Sequence, residues 1–512
     1  MSETPSFRRR WTIRLISLGA ISAVVTIVLV VAALLYGWTA FARSLPPLRG
    51  WQLDAPESEF VAADAVAGYD FQDYLDQEGE VFTELKALIV GGWSKEVEDQ
   101  PSRFRPGSAC DPDSILDRNW NRSFLLQPEK PKAGILLLHG LSDSPYSVRA
   151  IGEDLVREGY LVVGLRIPGH GTCPGALARV SRADWRAAVR VAARGLRDML
   201  PAGAPLVLGG YSNGGALAVD YALSSLGDDS LPRADAIVLW SPMIGITRLA
   251  RLTRLHSVIA SLSGEERANW SEIGAEIDPF KYVSWPMNAS VQAWTMTDEV
   301  ERELARLQAE GRLKEMPPVL AFQSAVDSTV IVADLITRLF DRLPDRRSEM
   351  VLFDLNRSRW LGDLLRTSFE NAIIPRLRRP DLPFRLALVT NTAPESSQVM
   401  VRMRDGAEYS ETPLDLAWPT DTYSLSHLAI PFSPTDPVYG TAEATEVTKL
   451  PLGSLDLRGE TGVLMIPSSM MLRLRHNPFY PYLRTHMTEW LAEVVTAAGS
   501  KRADPPAKPP PA

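Results

Sequence analysis

The chain has 512 residues, 45% of them apolar and 23% charged, with a formal net charge of −8 at pH 7. These are globular proportions, sufficient for one large domain with appendages, and an acidic chain without a basic patch argues against nucleic acid as the partner. Two cysteines, Cys110 and Cys173, are too few and too far apart for a zinc site or a disulfide-rich scaffold.

Arg8, Arg9, Arg10 and Arg14 precede a charge-free run from Leu15 to Ala42. As a helix this run is roughly 40 Å long, enough to cross the roughly 30 Å hydrocarbon core with tilt. Trp11 at one end and Tyr36, Trp38 and Phe41 at the other suit the two interfaces. The four arginines against Arg43 and Arg49 predict a single-pass anchor, residues 1–45, with a cytoplasmic N-terminus and the rest outside, in the periplasm of a Gram-negative host. The rival reading is a cleaved signal peptide ending at Ala40-Phe41-Ala42, which would release a secreted protein. The apolar run, however, is well beyond the roughly 7 to 15 residues of a signal core.

Residues 46–118 read as an N-terminal extension: a linker at Pro46-Pro47, helical spacing over Tyr69 to Val90, and a Gly/Pro/Asp-rich loop over Pro101 to Asp113. From residue 119 short apolar runs alternate with amphipathic helical patterns. Strands are expected at Arg122 to Gln127, Gly134 to His139, Leu161 to Ile167, Pro205 to Gly210, Ala236 to Trp240, Pro318 to Gln323 and Met350 to Leu355. Helices are expected at Tyr146 to Glu158, Arg182 to Leu200, Asn213 to Leu226, Val330 to Leu343 and Tyr480 to Ala498. The pattern predicts an α/β domain over 119–498, with a mostly parallel central sheet flanked by helices. Two interruptions are expected: a strandless helical cap over 244–317, and an insertion over 356–422 with three strand-like runs that alternate as antiparallel strands do, one following an Asp405-Gly406 turn. Residues 499–512 form a Pro-rich tail that need not fold.

The sequence Gly210-Tyr211-Ser212-Asn213-Gly214 lies where an expected strand meets an expected helix. Glycines around a serine allow a sharp turn that presents the hydroxyl at the mouth of a sheet, as a nucleophile requires. Such a serine needs a base, a carboxylate that orients the base, and amide donors for the oxyanion. Asp327, after the strand ending at Gln323, is the candidate acid, with Asp354 in reserve and a helix N-cap as the bland alternative. Of six histidines, only His427 and His476 follow in the order Ser, Asp, His without lying in the final helix, and His427 sits in a loop signal rich in serine and proline. His139-Gly140-Leu141 ends another strand. The Leu141 and Asn213 backbone N–H groups are the candidate oxyanion donors, with His139 supporting the turn rather than transferring protons.

Six segments together resemble the α/β-hydrolase superfamily, and most closely its bacterial carboxylesterase and monoacylglycerol-lipase-like branch. They are LLLHGLSDSPYSVR (136–149), LRIPGHGT (165–172), GYSNGG (210–215), DPFKYVSWPMNAS (278–290), FQSAVDSTV (322–330) and SHLAIPFSPTDPVYG (426–440). The resemblance implies Ser212 as nucleophile, Asp327 and His427 as its partners, Leu141 and Asn213 at the oxyanion, a cap that shapes an acyl pocket, and neither metal nor organic cofactor. It leaves residues 1–118 unexplained, and the spacing of about 100 residues between Asp327 and His427 exceeds the family's usual few tens. The expected function is membrane-anchored serine hydrolysis of carboxylic esters, acyl or lipid-derived. The alternatives are a thioesterase, an amidase or peptidase with Glu272, Glu276 and Asp278 holding a substrate amine, an acyltransferase, or a silent membrane-tethered binding protein. In an exported domain a Cys110 to Cys173 disulfide is also expected, pinning the extension to the active-site side of the sheet.

Overall fold

The computed structural model describes residues 7–245, 264–357, 374–454 and 473–503, apart from the single positions 328, 344, 421, 447 and 451. Parts of the expected cap (246–263), insertion (358–373) and tail (504–512), and His256, lie outside the described residues.

The strands are β1 (Phe124–Leu126), β2 (Ala133–Leu138), β3 (Tyr160–Leu165), β4 (Leu206–Tyr211), β5 (Ala236–Trp240), β6 (Trp270–Glu272), β7 (Trp285–Pro286), β8 (Val319–Ser324), β9 (Glu349–Phe353), β10 (Arg385–Asn391), β11 (Gln398–Asp405), β12 (Glu408–Ala417), β13 (Ser424–Leu425) and β14 (Arg473–Leu474). Ten of them form one sheet in the order β1-β3-β2-β4-β5-β8-β9-β10-β11-β12. The strands from β3 across to β10 are mutually parallel, and β1, β11 and β12 add antiparallel.

Strands β2 to β5, β8 and β9 are buried at every position, so the sheet is covered on both faces. Leu136, Leu138, Val163 and Leu165 face one core with Trp185 and Leu196 of the Arg182–Met199 helix. The alternate residues Ile135, Leu137, Val162 and Val207 face the other, with Leu483, Met487 and Trp490 of the Tyr480–Ala503 helix. Ser181 caps the Arg182–Met199 helix by accepting from the Asp184 amide.

Three expectations need correction. The cap is not strandless: β6 and β7 pair antiparallel within it. The three strands of the insertion are antiparallel to one another, as expected, but they do not interrupt the domain, because β10 adds parallel to β9 and the main sheet continues through them. Finally, Cys110 and Cys173 are both free thiols. Cys110 packs with Trp120 and Tyr146 under one face of the sheet, whereas Cys173 packs with Trp51, Phe104 and Ala176 in a separate cluster. Burial pushes both thiols up, Cys110 to about 11 and Cys173 to about 12. We expect Ellman's reagent to titrate neither thiol in the native protein and both after denaturation, without reductant.

The extension is bound to the α/β domain by buried charge. Arg166, just beyond β3, is 1% exposed and meets Glu59 through two bonds of 2.8 and 3.0 Å and Glu78 at 3.2 Å. Glu78, on the Phe71–Leu88 helix, also accepts from the Ser123 amide at 2.9 Å and hydroxyl at 2.7 Å. Tyr74 of the same helix donates to the Arg166 carbonyl at 2.5 Å. Removing one partner of such a buried network leaves an uncompensated charge. Glu78→Ala is expected to cost about 3 to 5 kcal/mol, seen as a lowered Tm of the full-length protein in detergent.

Candidate active site

The geometry of the site begins with the turn between β4 and the helix Asn213–Gly227. Ser212 joins them at φ 53°, ψ −115°, a conformation that costs a non-glycine residue on the order of 1 to 3 kcal/mol. Its amide donates to the Trp240 carbonyl at 2.9 Å, and its own carbonyl accepts from Met243 at 2.9 Å and Gly215 at 3.0 Å. The flanking glycines answer to space. A Cβ on Gly214 would lie 2.1 Å from the Leu138 carbonyl oxygen, and one on Gly210 would lie 2.3 Å from the Gly214 carbonyl oxygen. The helix therefore starts hard against the end of β2.

His427 lies in a short 3₁₀ turn, His427–Ala429, which follows β13. Its Nε2 is 2.9 Å from Ser212 Oγ and its Nδ1 is 2.7 Å from Asp327 Oδ2. A carboxylate acceptor at Nδ1 selects the Nδ1–H tautomer, which leaves Nε2 to accept the serine proton. Asp327 is itself fixed: Gln323 Nε2 donates to Oδ2 at 2.6 Å, and the Thr329 and Val330 amides donate to Oδ1 at 2.8 and 3.0 Å. All three side chains are buried. Two bonds hold the distant His427 loop, one to β8 and one to β14: Ser324 Oγ donates to the Leu425 carbonyl at 3.0 Å, and Ser426 Oγ donates to the Leu474 carbonyl at 2.7 Å.

The loop Gly140-Leu141-Ser142 lies on this turn, since a Cβ on Gly140 would be 3.3 Å from Ser212 Cβ. His139 Nε2 accepts from the Ile167 amide at 3.0 Å, so its Nδ1 carries the proton donated to the Gly140 carbonyl at 2.9 Å. The Asp143 amide donates to the same carbonyl at 3.3 Å. The peptide plane that ends in the Leu141 N–H is thus held from its carbonyl side. The cap grips the loop from above. Tyr282 N donates to the Ser142 carbonyl at 2.8 Å, and Lys281 Nζ lies 3.5 Å from the Leu141 carbonyl and 3.6 Å from an Asp143 carboxylate oxygen. Burial raises Asp143 to about 6.

Other candidates are placed elsewhere. Asp354 pairs with Arg357 and accepts from Thr390 Oγ1 at 2.6 Å. His476 faces the Tyr439 carbonyl through Nδ1 at 3.2 Å. Glu276 accepts from the Val283 and Ser284 amides, and Asp278 accepts from the Tyr439 hydroxyl and the Phe280 amide, so both are engaged within the fold; Glu272 is an exposed residue of β6. Among the described residues no cluster of three or more His, Cys, Asp or Glu is placed to hold a metal. Sequence reasoning assigned no role to Lys281 or Tyr282, although both stand in the quoted segment DPFKYVSWPMNAS.

A mostly parallel sheet with a strained serine on the strand-to-helix turn at its centre defines an α/β-hydrolase. Residues 129–353 match the family described as serine aminopeptidase, S33, and the sheet order and flanking helices are those of the α/β-hydrolase fold. A 61-residue stretch is 38% identical to the thermostable monoacylglycerol lipase of Bacillus sp. (strain H-257), covering 12% of this chain and 24% of that protein. The chain thus spans about a quarter of the length of that curated relative. Among solved structures, one from a study of the metagenome-derived lipolytic enzymes LipS and LipT is 22% identical, covering 46% of this chain and 87% of its own, with a TM-score of 0.37. The monoacylglycerol lipase of Paleococcus ferrophilus is 18% identical, covering 46% and 89%, with a TM-score of 0.34.

Two buried histidines near the site make stability depend on pH. The rings of His139 and His170 meet at 5.0 Å, and burial drives His139 well below the ordinary value and His170 down to about 3. The unfolded chain takes up these protons near pH 6.5 and the folded chain does not, so stability is full above about pH 6.5 and falls as pH drops toward 3. The slope is about 1.4 kcal/mol per pH unit for each histidine. Denaturant unfolding of wild type and His170→Gln between pH 6.5 and 5 is expected to give a shallower loss in the variant.

Proposed function

We propose that the protein hydrolyses carboxylic esters through an acyl-enzyme on Ser212. The observation that carries this reading is His427, which bridges Ser212 Oγ at 2.9 Å and Asp327 Oδ2 at 2.7 Å. In this mechanism Nε2 of His427 takes the hydroxyl proton as Oγ attacks the ester carbonyl. Asp327 keeps the ring in its tautomer and stabilises the imidazolium. The oxyanion is received by the N–H groups of Leu141 and Asn213. His427 then protonates the departing alcohol, and a water activated by the same nitrogen releases the acid.

The substrate we favour is a lipid-derived ester drawn from the membrane surface. Two observations support this. The helix Phe7–Ser44 contains a 27-residue candidate span, Leu18–Ser44, with an 18-residue window of mean hydropathy 2.8, long enough to cross a bilayer as an anchor with the arginine-rich end inside. The cap also sits on the end of this helix: Ala42 is buried against Ala268, Arg267 donates to the Arg43 and Leu45 carbonyls at 3.3 and 3.0 Å, and Arg43 lies 3.7 Å from Glu265. The monoacylglycerol lipase relative agrees with such a substrate.

A fluorophosphonate probe is expected to label the full-length protein in detergent, and Ser212→Ala is expected to abolish labelling and lower kcat by on the order of 10⁶. A correctly folded wild type that resists the probe would overturn the reading. A p-nitrophenyl ester series of rising chain length then locates the acyl preference.

A further inference from the structure

Next to the loops that carry His427 and Leu141 lies a second polar feature that the mechanism above does not use. A small recess is lined by Asp143, Lys281, Leu428, Phe432, Tyr439 and Arg475. It lies between the two loops that flank Ser212, because Leu428 follows His427 and Asp143 closes the Gly140–Ser142 turn. Arg475 is held there by backbone. It follows β14, which pairs parallel with β13, and the next residues are tied to the same loop: Asn477 N donates to the Phe432 carbonyl at 2.8 Å and His476 faces the Tyr439 carbonyl.

The charges of the recess are unequal in their partners. Lys281 lies 3.6 Å from Asp143, so these two offset each other. Tyr439 turns its hydroxyl to Asp278, at 2.7 and 2.8 Å from the two carboxylate oxygens, and so covers that carboxylate from the recess. Arg475 has no ion pair among the described residues, and its Nε is buried without a hydrogen-bond partner. A buried guanidinium N–H left unpaired costs free energy that an incoming anion would recover, and the planar guanidinium suits a carboxylate.

We propose that Arg475 is a specificity-determining residue: its guanidinium, which has no ion pair among the described residues, forms a subsite for a carboxylate carried by the ester substrate. This rests on the serine-hydrolase reading and deepens it. The apolar side chains Leu428 and Phe432 would flank the arm that carries the charge, while Arg475 would meet the charge itself.

The test compares matched esters with full-length wild type and Arg475→Gln in detergent. One pair carries the charge on the acyl side, p-nitrophenyl adipate monoanion against its methyl ester. The other carries it on the alcohol side, 4-carboxyphenyl butyrate against its methyl ester. At least one anionic member is expected to have a kcat/KM above its neutral counterpart in wild type. Arg475→Gln is expected to lower that kcat/KM by about tenfold or more, mainly through KM, with neutral esters unchanged and partial recovery in Arg475→Lys. Fluorophosphonate labelling at the wild-type rate shows that the variant is folded and its serine competent. Labelling of wild type without any preference for an anionic ester, or with a preference that Arg475→Gln leaves intact, overturns this subsite alone. Failure of folded wild type to label overturns the hydrolase reading and the subsite with it.

Discussion

The contact on which this structure depends is one between backbones, where the first turn of the Asn213–Gly227 helix meets the carbonyls that end β2. A methyl group on Gly214 would lie 2.1 Å from the Leu138 oxygen and 2.6 Å from that of His139, so only glycine permits the approach. It brings two chain segments into one register: the turn that presents Ser212, and the loop that carries the Leu141 amide. Everything else around the site is arranged to hold these two in place. His139 fixes the loop from beneath, Tyr282 and Lys281 fix it from the cap, and Trp240 and Met243 fix the serine turn from β5 and the segment after it.

This arrangement separates what the sheet supplies from what the additions supply. The proposed relay from Asp327 through His427 to Ser212 uses strand ends and their loops alone. The surroundings that would select a substrate come from residues outside that pattern: the cap hairpin, the segment from Leu428 to Tyr439, and β14 with Arg475. A chain of this fold can therefore change its recess without moving the relay, because the two share only the His427 loop.

The parallel order of the central strands was legible because each strand is a continuous apolar run and each helix has an amphipathic stripe. Ser212, Asp327 and His427 could be singled out because each lies just past such a run or in a loop of strong local signal. Pairing over long distance was not legible. The affinity of β10 for β9 depends on the edge that β9 leaves open, and nothing local in Arg385 to Asn391 records it. The cap strands β6 and β7 have three and two residues, too few to show alternation. The expected disulfide failed for a related reason: nothing local in the sequence records which core a thiol enters, and Cys110 and Cys173 enter separate ones. Arg166 was passed over because its partners lie 88 and 107 residues earlier.

The order of these last residues along the chain has a consequence for biogenesis. Glu59 and Glu78 are synthesised before the arginine that neutralises them; Phe82 and Leu85 of the Phe71–Leu88 helix pack within the extension against Trp51, Trp93 and Phe104, but Glu78 gains its cation only with Arg166, just beyond β3. An early release of the chain would leave the extension without its cation, whereas a loss of the extension would leave Arg166 charged inside a core.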